Sequence, residues 1–188
     1  MKLLAISGSL RRDSYNTKLL RAAEELLPPG AELELWDGLK SIPAYDEEDD
    51  VHPAPAPVTA LREAIAEADA VLFATPEYNS SIPGQLKNAI DWVSRPLATN
   101  SLRNKPVAVV GASTGAFGAV WAQAELRKVL AATGARIVDA EVAVGHAHTR
   151  FDEAGRLTDE SLVEQLAETL EALVDETAAR PSVQLLAV

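Results

Sequence analysis

The chain has 188 residues, enough for one domain with a substantial core, and 47% of them are hydrophobic, as in folded globular proteins. Acidic residues outnumber Lys and Arg by 28 to 17, a formal charge of -11, so the long-range field repels nucleic acid and anionic membrane surfaces. There is no cysteine, which excludes disulfides, thiolate metal sites and a cysteine nucleophile.

In chain order, residues 3–6 (LLAI) form an unbroken apolar run, the pattern of a strand buried on both faces. No secretory signal precedes it and no apolar run reaches membrane-spanning length, so a soluble cytoplasmic protein is expected. Leu19, Leu20, Ala23, Leu26 and Leu27 follow at helical spacing until Pro28, Pro29 and Gly30 stop the helix. Residues 31–35 (AELEL) alternate strictly, which predicts an edge strand with one wet face. Residues 41–57 are acidic and then carry four prolines, the composition of a surface loop.

Val58, Leu61, Ile65 and Ala68 predict a second helix, and residues 70–75 (AVLFAT) a third strand. Leu86, Ile90 and Val93 predict a helix ending near Arg95 and Pro96. Residues 106–110 (PVAVV) read as a fourth strand, followed by a helix with Leu126, Val129 and Leu130. A fifth strand is expected over 136–144. Thr158 is the expected N-cap of a last helix with Leu162, Val163, Leu166, Leu170 and Leu173, with Asp159 and Glu160 at its positive end. Residues 181–188 read as an apolar tail on a single domain spanning 1–188.

Strands alternating with helices predict an α/β protein with a doubly wound, five-stranded parallel sheet, order 2-1-3-4-5, and helices on both faces. In that architecture ligands bind beyond the carboxyl ends of the strands, at the switch point between the first and third. Three loops emerge there.

The first, residues 7–17 (SGSLRRDSYNT), leads into a helix whose free amides face whatever it encloses. Hydroxyls of Ser9, Ser14 and Thr17, the Asn16 amide and the Arg11 guanidinium add donors, a set suited to a terminal phosphate. The glycine spacings of Walker and dinucleotide-binding loops are absent, and Asp37 alone is weak support for a ribose contact. A polar turn that only caps its helix is the plain alternative.

The second loop, residues 75–84 (TPEYNSSIPG), is stiffened by two prolines and offers the face of Tyr78. The third, residues 111–118 (GASTGAFG), permits close backbone approach and carries Ser113 and Thr114 as donors. A phosphate nest beside two loops fitted to a flat heterocycle describes a mononucleotide site.

At these residues the sequence resembles the NADPH-dependent FMN reductase family of flavodoxin-like proteins, which includes quinone, chromate and azo-dye reductases. The motifs are residues 8–17, residues 76–92 (PEYNSSIPGQLKNAIDW) and residues 111–118. The likeness runs from the first strand to the last helix. It implies non-covalent FMN, its phosphate on Ser9, Arg11, Ser14, Asn16 and Thr17. The ring would lie against Pro76, Glu77, Tyr78 and Asn79, with Ser113 and Gly115 near its pyrimidine end. Where many relatives have two glycines, the third motif ends in Gly118 and Ala119.

The resemblance further implies a ping-pong oxidoreductase. It would pass hydride from NADPH or NADH through FMN to a quinone, free flavin, azo or metal-oxyanion acceptor. No residue is singled out as a catalytic acid or base, because the flavin carries the chemistry. The partner is a small-molecule electron acceptor, and a homodimer or homotetramer is expected, with Trp92 and Trp121 as candidate interface residues. An electron carrier like flavodoxin is the rival reading. The acidic surface favours the carrier, and Arg11 in the opening loop disfavours it. His146 and His148 stand at strand spacing without a third ligand, and the acidic run 46–50 reads as a solvated loop, so no metal is expected.

Overall fold

The computed structural model describes residues 1–179. The apolar tail expected at 181–188 lies outside them. Four strands follow the expected order: β1 (Lys2–Ser7), β2 (Glu32–Trp36), β3 (Ala70–Thr75) and β4 (Pro106–Ala112). The path is β2-β1-β3-β4-β5, where β5 is Arg136–Ile137, with every pairing parallel. The doubly wound order read from the alternating periods is therefore the observed one.

Alternation along the strands sorts the core into two layers. Leu4, Ile6, Val71, Phe73, Val107 and Val109 pack under α2 (Ala56–Glu67), α3 (Gly84–Val93) and α4 (Val120–Ala132). Leu3, Ala5, Leu72, Ala74, Ala108 and Val110 face α1 (Tyr15–Glu25) and α5 (Glu160–Ala178). Leu3, Leu4, Leu72 and Val109 are fully buried, each worth about 1.5–3 kcal/mol of transfer free energy. Strand β2 lies at the edge and alternates as expected, with Glu32 and Glu34 exposed and Leu33 and Leu35 half-buried.

Three local expectations need correction. The fifth strand is two short ones, β5 (Arg136–Ile137) and β6 (Ala143–Val144), both paired with β4. Arg127 on α4 causes the break. Its Nη2 donates to the carbonyls of Val109 at 3.2 Å and Ala140 at 2.7 Å. The Val109 carbonyl is thereby taken, and the Ala140 amide turns back to Val138. The ladder resumes where the Gly111 amide donates to Val142.

The last helix is capped one residue later than expected. The Asp159 carboxylate accepts from the Leu162 amide, while the Thr158 hydroxyl donates to the Arg150 carbonyl. His146 and His148 lie on a 3-10 turn, not a strand, with their ring centroids 6.3 Å apart. A 3-10 turn at Gly38–Ser41 leads into the expected surface loop, a second forms within it at Glu47–Asp49, and α2 starts at Ala56. No helix among the described residues is long and apolar enough to cross a membrane.

Candidate functional site

The carboxyl ends of β1, β3 and β4 open onto one edge of the sheet, and the three loops meet there. Strand β1 ends at Ser7, and the Gly8 amide donates to the Ala74 carbonyl at 2.8 Å, closing the first loop onto β3. A Cβ on Gly8 would stand 2.8 Å from Leu86 and 3.4 Å from that carbonyl, so a side chain there would push the loop away. Ser14 is the N-cap of α1, its hydroxyl oxygen accepting from the Thr17 amide. The amides of Tyr15 and Asn16, which precede the first intrahelical bond, are left facing the opening.

The five expected phosphate donors divide into two sets. Ser9, Arg11, Ser14 and Asn16 line a cavity of about 120 Å³ with Pro76, Glu77, Tyr78 and Ser113. Arg11 is exposed, and its guanidinium has no hydrogen-bond or ion-pair partner among the described residues. Thr17 is not on the wall, and its hydroxyl donates to Ser7 Oγ at 3.0 Å.

Asn16 is buried and its side chain is already engaged. Its Nδ2 donates to the Ala112 carbonyl and its Oδ1 accepts from the Ala112 amide, both at 2.9 Å. The side chain thus ties α1 to the end of β4, and its backbone amide is what remains for a ligand.

The loop after β3 is rigid for a reason visible in its backbone. Tyr78 and Ser81 exchange both backbone hydrogen bonds, and Asn79 and Ser80 between them have φ of 54° and 58°. That is the two-residue hairpin turn in which both central residues are left-handed. Tyr78 stands 50% exposed beside the turn, and Asn79 sits on the turn itself, off the cavity wall. Glu77 reaches across to α4, its Oε2 accepting from the Ala122 amide at 3.0 Å.

The third loop is braced by the segment after β6. Ser113 donates its amide to Val144 and accepts from the Ala147 amide, while the Gly115 carbonyl accepts from His146. Gly115 is exposed and off the cavity wall, and its amide donates to Ser113 Oγ at 3.1 Å. A Cβ on Gly145 would lie 2.2 Å from the Ala116 carbonyl, so only glycine permits this approach. Tyr15 and Ala112 also line the cavity and were missed by the sequence reading. Tyr15 had a signal, an aromatic directly after the cap, and it stacks on Phe151 with ring centroids 5.9 Å apart.

A second hollow of about 270 Å³ adjoins the first, with Arg11 and Tyr78 common to both and Leu10, Pro83 and Gln85 beyond them. A larger cleft of about 510 Å³ lies between the loop after β2, helix α2 and the segment after α3 at Arg95 and Pro96. Arg62 there is already held by Asp50 and the Trp92 carbonyl, and no strand end opens into the cleft. The donor chemistry thus points to the edge of β1, β3 and β4. One cation, an uncommitted helix N-terminus and two serine hydroxyls fit a phosphate. A stiff turn beside an aromatic face fits a planar ring.

Of the two tryptophans considered for an interface, Trp92 is fully buried, with its indole N–H on the Pro43 carbonyl and Tyr45 edge-on at 5.0 Å. Trp121 is half-exposed and packs edge-on against Phe117, which is 62% exposed.

Residues 1–149 match the family of NADPH-dependent FMN reductases. Among individual proteins, the chain is 45% identical to an NAD(P)H-dependent FMN reductase of Pseudomonas aeruginosa, covering 92% of this chain and 93% of that one. It is 38% identical to a quinone reductase of Pseudomonas putida, with 93% and 91% covered. Among solved structures, FerB, a flavoenzyme NAD(P)H:(acceptor) oxidoreductase from Paracoccus denitrificans, superposes with a TM-score of 0.84 at 37% identity. The match covers 94% of this chain and 97% of that one.

Proposed function

The chain belongs to the NADPH-dependent FMN reductase family, as an NAD(P)H-dependent flavin oxidoreductase, and from that premise we propose a ping-pong cycle on the site described above. In it, NAD(P)H and a proton reduce a quinone to its hydroquinone by way of FMN, the two half-reactions sharing one pocket in turn. FMN when bound supplies the two-electron chemistry, accepting hydride and passing it on. Free flavin, azo compounds and metal oxyanions are the other acceptors this reading admits.

The chain's own residues bind and orient. Ser9, Arg11 and Ser14, with the amides of Tyr15 and Asn16, hold the phosphate. Thr17 and the Asn16 side chain hold that nest in shape. Pro76, Glu77, Tyr78 and Asn79 form the stiff platform for the ring, with Ser113 and Gly115 framing its polar end. The hollow by Leu10, Pro83 and Gln85 leaves room for a second planar ring. No side chain is assigned a proton-transfer step. The single observation that carries this reading is one cavity lined jointly by the phosphate nest and the ring platform.

A homodimer or homotetramer is proposed for the working form, supported by the exposed Phe117–Trp121 pair near the site. The residues form one domain in this reading, and a cytoplasmic setting suits an enzyme drawing on NAD(P)H.

Steady-state kinetics with NADPH, NADH and a benzoquinone test the cycle. Parallel double-reciprocal lines are the expected result. Intersecting lines would contradict alternating occupancy of one pocket, and absence of turnover with a stable one-electron-reduced flavin would favour the carrier reading.

A further inference from the structure

Glu77 occupies a junction between the ring platform and α4. Among the described residues it is the only acid on the cavity wall, as Arg11 is the only cation, in a site otherwise fitted to an anionic ligand. Its Oε2 accepts from the Ala122 amide in the first turn of α4. That turn contains no acid, and its N-cap, Ala119, is left-handed at φ 63° and offers no side-chain cap. The carboxylate therefore reaches across 45 residues of sequence to cap the helix, and it sets a full negative charge against the helix's positive end.

A neutral acceptor would satisfy the same amide. The charge adds to the cap through the positive end of α4, and Glu77 also lines the cavity. Beside a flavin, a fixed anion opposes the negative charge gained on reduction, and it cancels the pull of the α4 N-terminus.

We propose that Glu77 is a positioning residue that holds the ring platform against α4 and lowers the reduction potential of the bound flavin. The inference rests on the ring lying against residues 76–79, as in the proposed function. It gives the reductase a reason for an acid where binding alone would avoid one. A flavin held at lower potential passes its electrons on more readily.

The experiment uses the full chain loaded with FMN. Retention of FMN by the wild-type protein, read from its visible spectrum, comes first, and failure there overturns the placement of FMN itself. Glu77→Gln keeps an acceptor for the Ala122 amide and removes the charge. The expected result is FMN affinity within about threefold of wild type, with the equilibrium against a redox dye shifted roughly tenfold towards reduced flavin. Glu77→Ala is expected to show the same shift and a further roughly tenfold loss of FMN affinity. An unchanged dye equilibrium in Glu77→Gln overturns the proposal, and so does a loss of affinity in both variants without a shift. If neither variant folds, the wild-type protein still decides, because its bound flavin must sit further towards the oxidised form against the redox dye than free FMN does. An equilibrium equal to that of free FMN, or further towards reduced flavin, overturns the proposal.

Discussion

At the scale of single residues, the candidate site separates side chains proposed to meet a ligand from those that hold the others in place. Asn16 is of the second kind, its amide group bonded both ways to Ala112. Asn16→Ala is expected to destabilise the FMN-free protein by about 2 kcal/mol, because two buried backbone groups lose their partners. Urea denaturation without FMN measures this, and a change below about 0.5 kcal/mol would return Asn16 to the ligand-binding set. That Ser9, Arg11, Ser14 and Asn16 line one cavity was legible in the sequence because they are neighbours on one loop. The role of Asn16 was not, because its partner lies 96 residues away and only the folded chain brings them together. Glu77 was read as a ring contact, and its bond to the Ala122 amide was hidden in the same way, 45 residues along the chain.

At the scale of elements, the fold rests on side chains that close the gaps between helices and strands. Arg127 takes the Val109 and Ala140 carbonyls where a continuous fifth strand would have paired. Arg127→Met is expected to cost about 2–3 kcal/mol in urea denaturation, with faster hydrogen exchange across 138–142. An unchanged stability would mean that the ladder heals without the arginine. Strand order was legible because buried runs and helical periods alternate cleanly. The break was not, because residues 136–144 have a strand's composition and the interruption comes from a helix side chain.

Lys105 plays a comparable part at the other edge, its ammonium donating to the Ala66 and Ala68 carbonyls at the C-terminal end of α2. Burial pushes its pKa below the ordinary 10.5, with Asp69 opposing. The unfolded chain then holds more protons than the folded one between that depressed value and 10.5, so stability rises with pH through that window. Against Lys105→Met, the wild type is expected to gain stability as pH is raised through it. A difference that is flat or falls would contradict the burial.

At the scale of the whole molecule, one edge of the sheet carries the candidate site and the remainder supports it. The family match ends at residue 149, yet Leu166, Leu170 and Leu173 of α5 are fully buried against the sheet face shared with α1. Helix α5 is scaffold for the nest that α1 helps to form. A chain with a formal charge of -11 must bind an anionic cofactor against its own field, so affinity has to come from local donors.

That requirement selects the most direct measurement: equilibrium binding of FMN and of riboflavin to the same apoprotein, followed by flavin fluorescence. Because several charge-assisted bonds are made only to the phosphate, FMN is expected to bind roughly 100-fold tighter or more. Equal affinity for the two flavins would contradict the assignment of the first loop as a phosphate nest, and with it the orientation proposed for the cofactor.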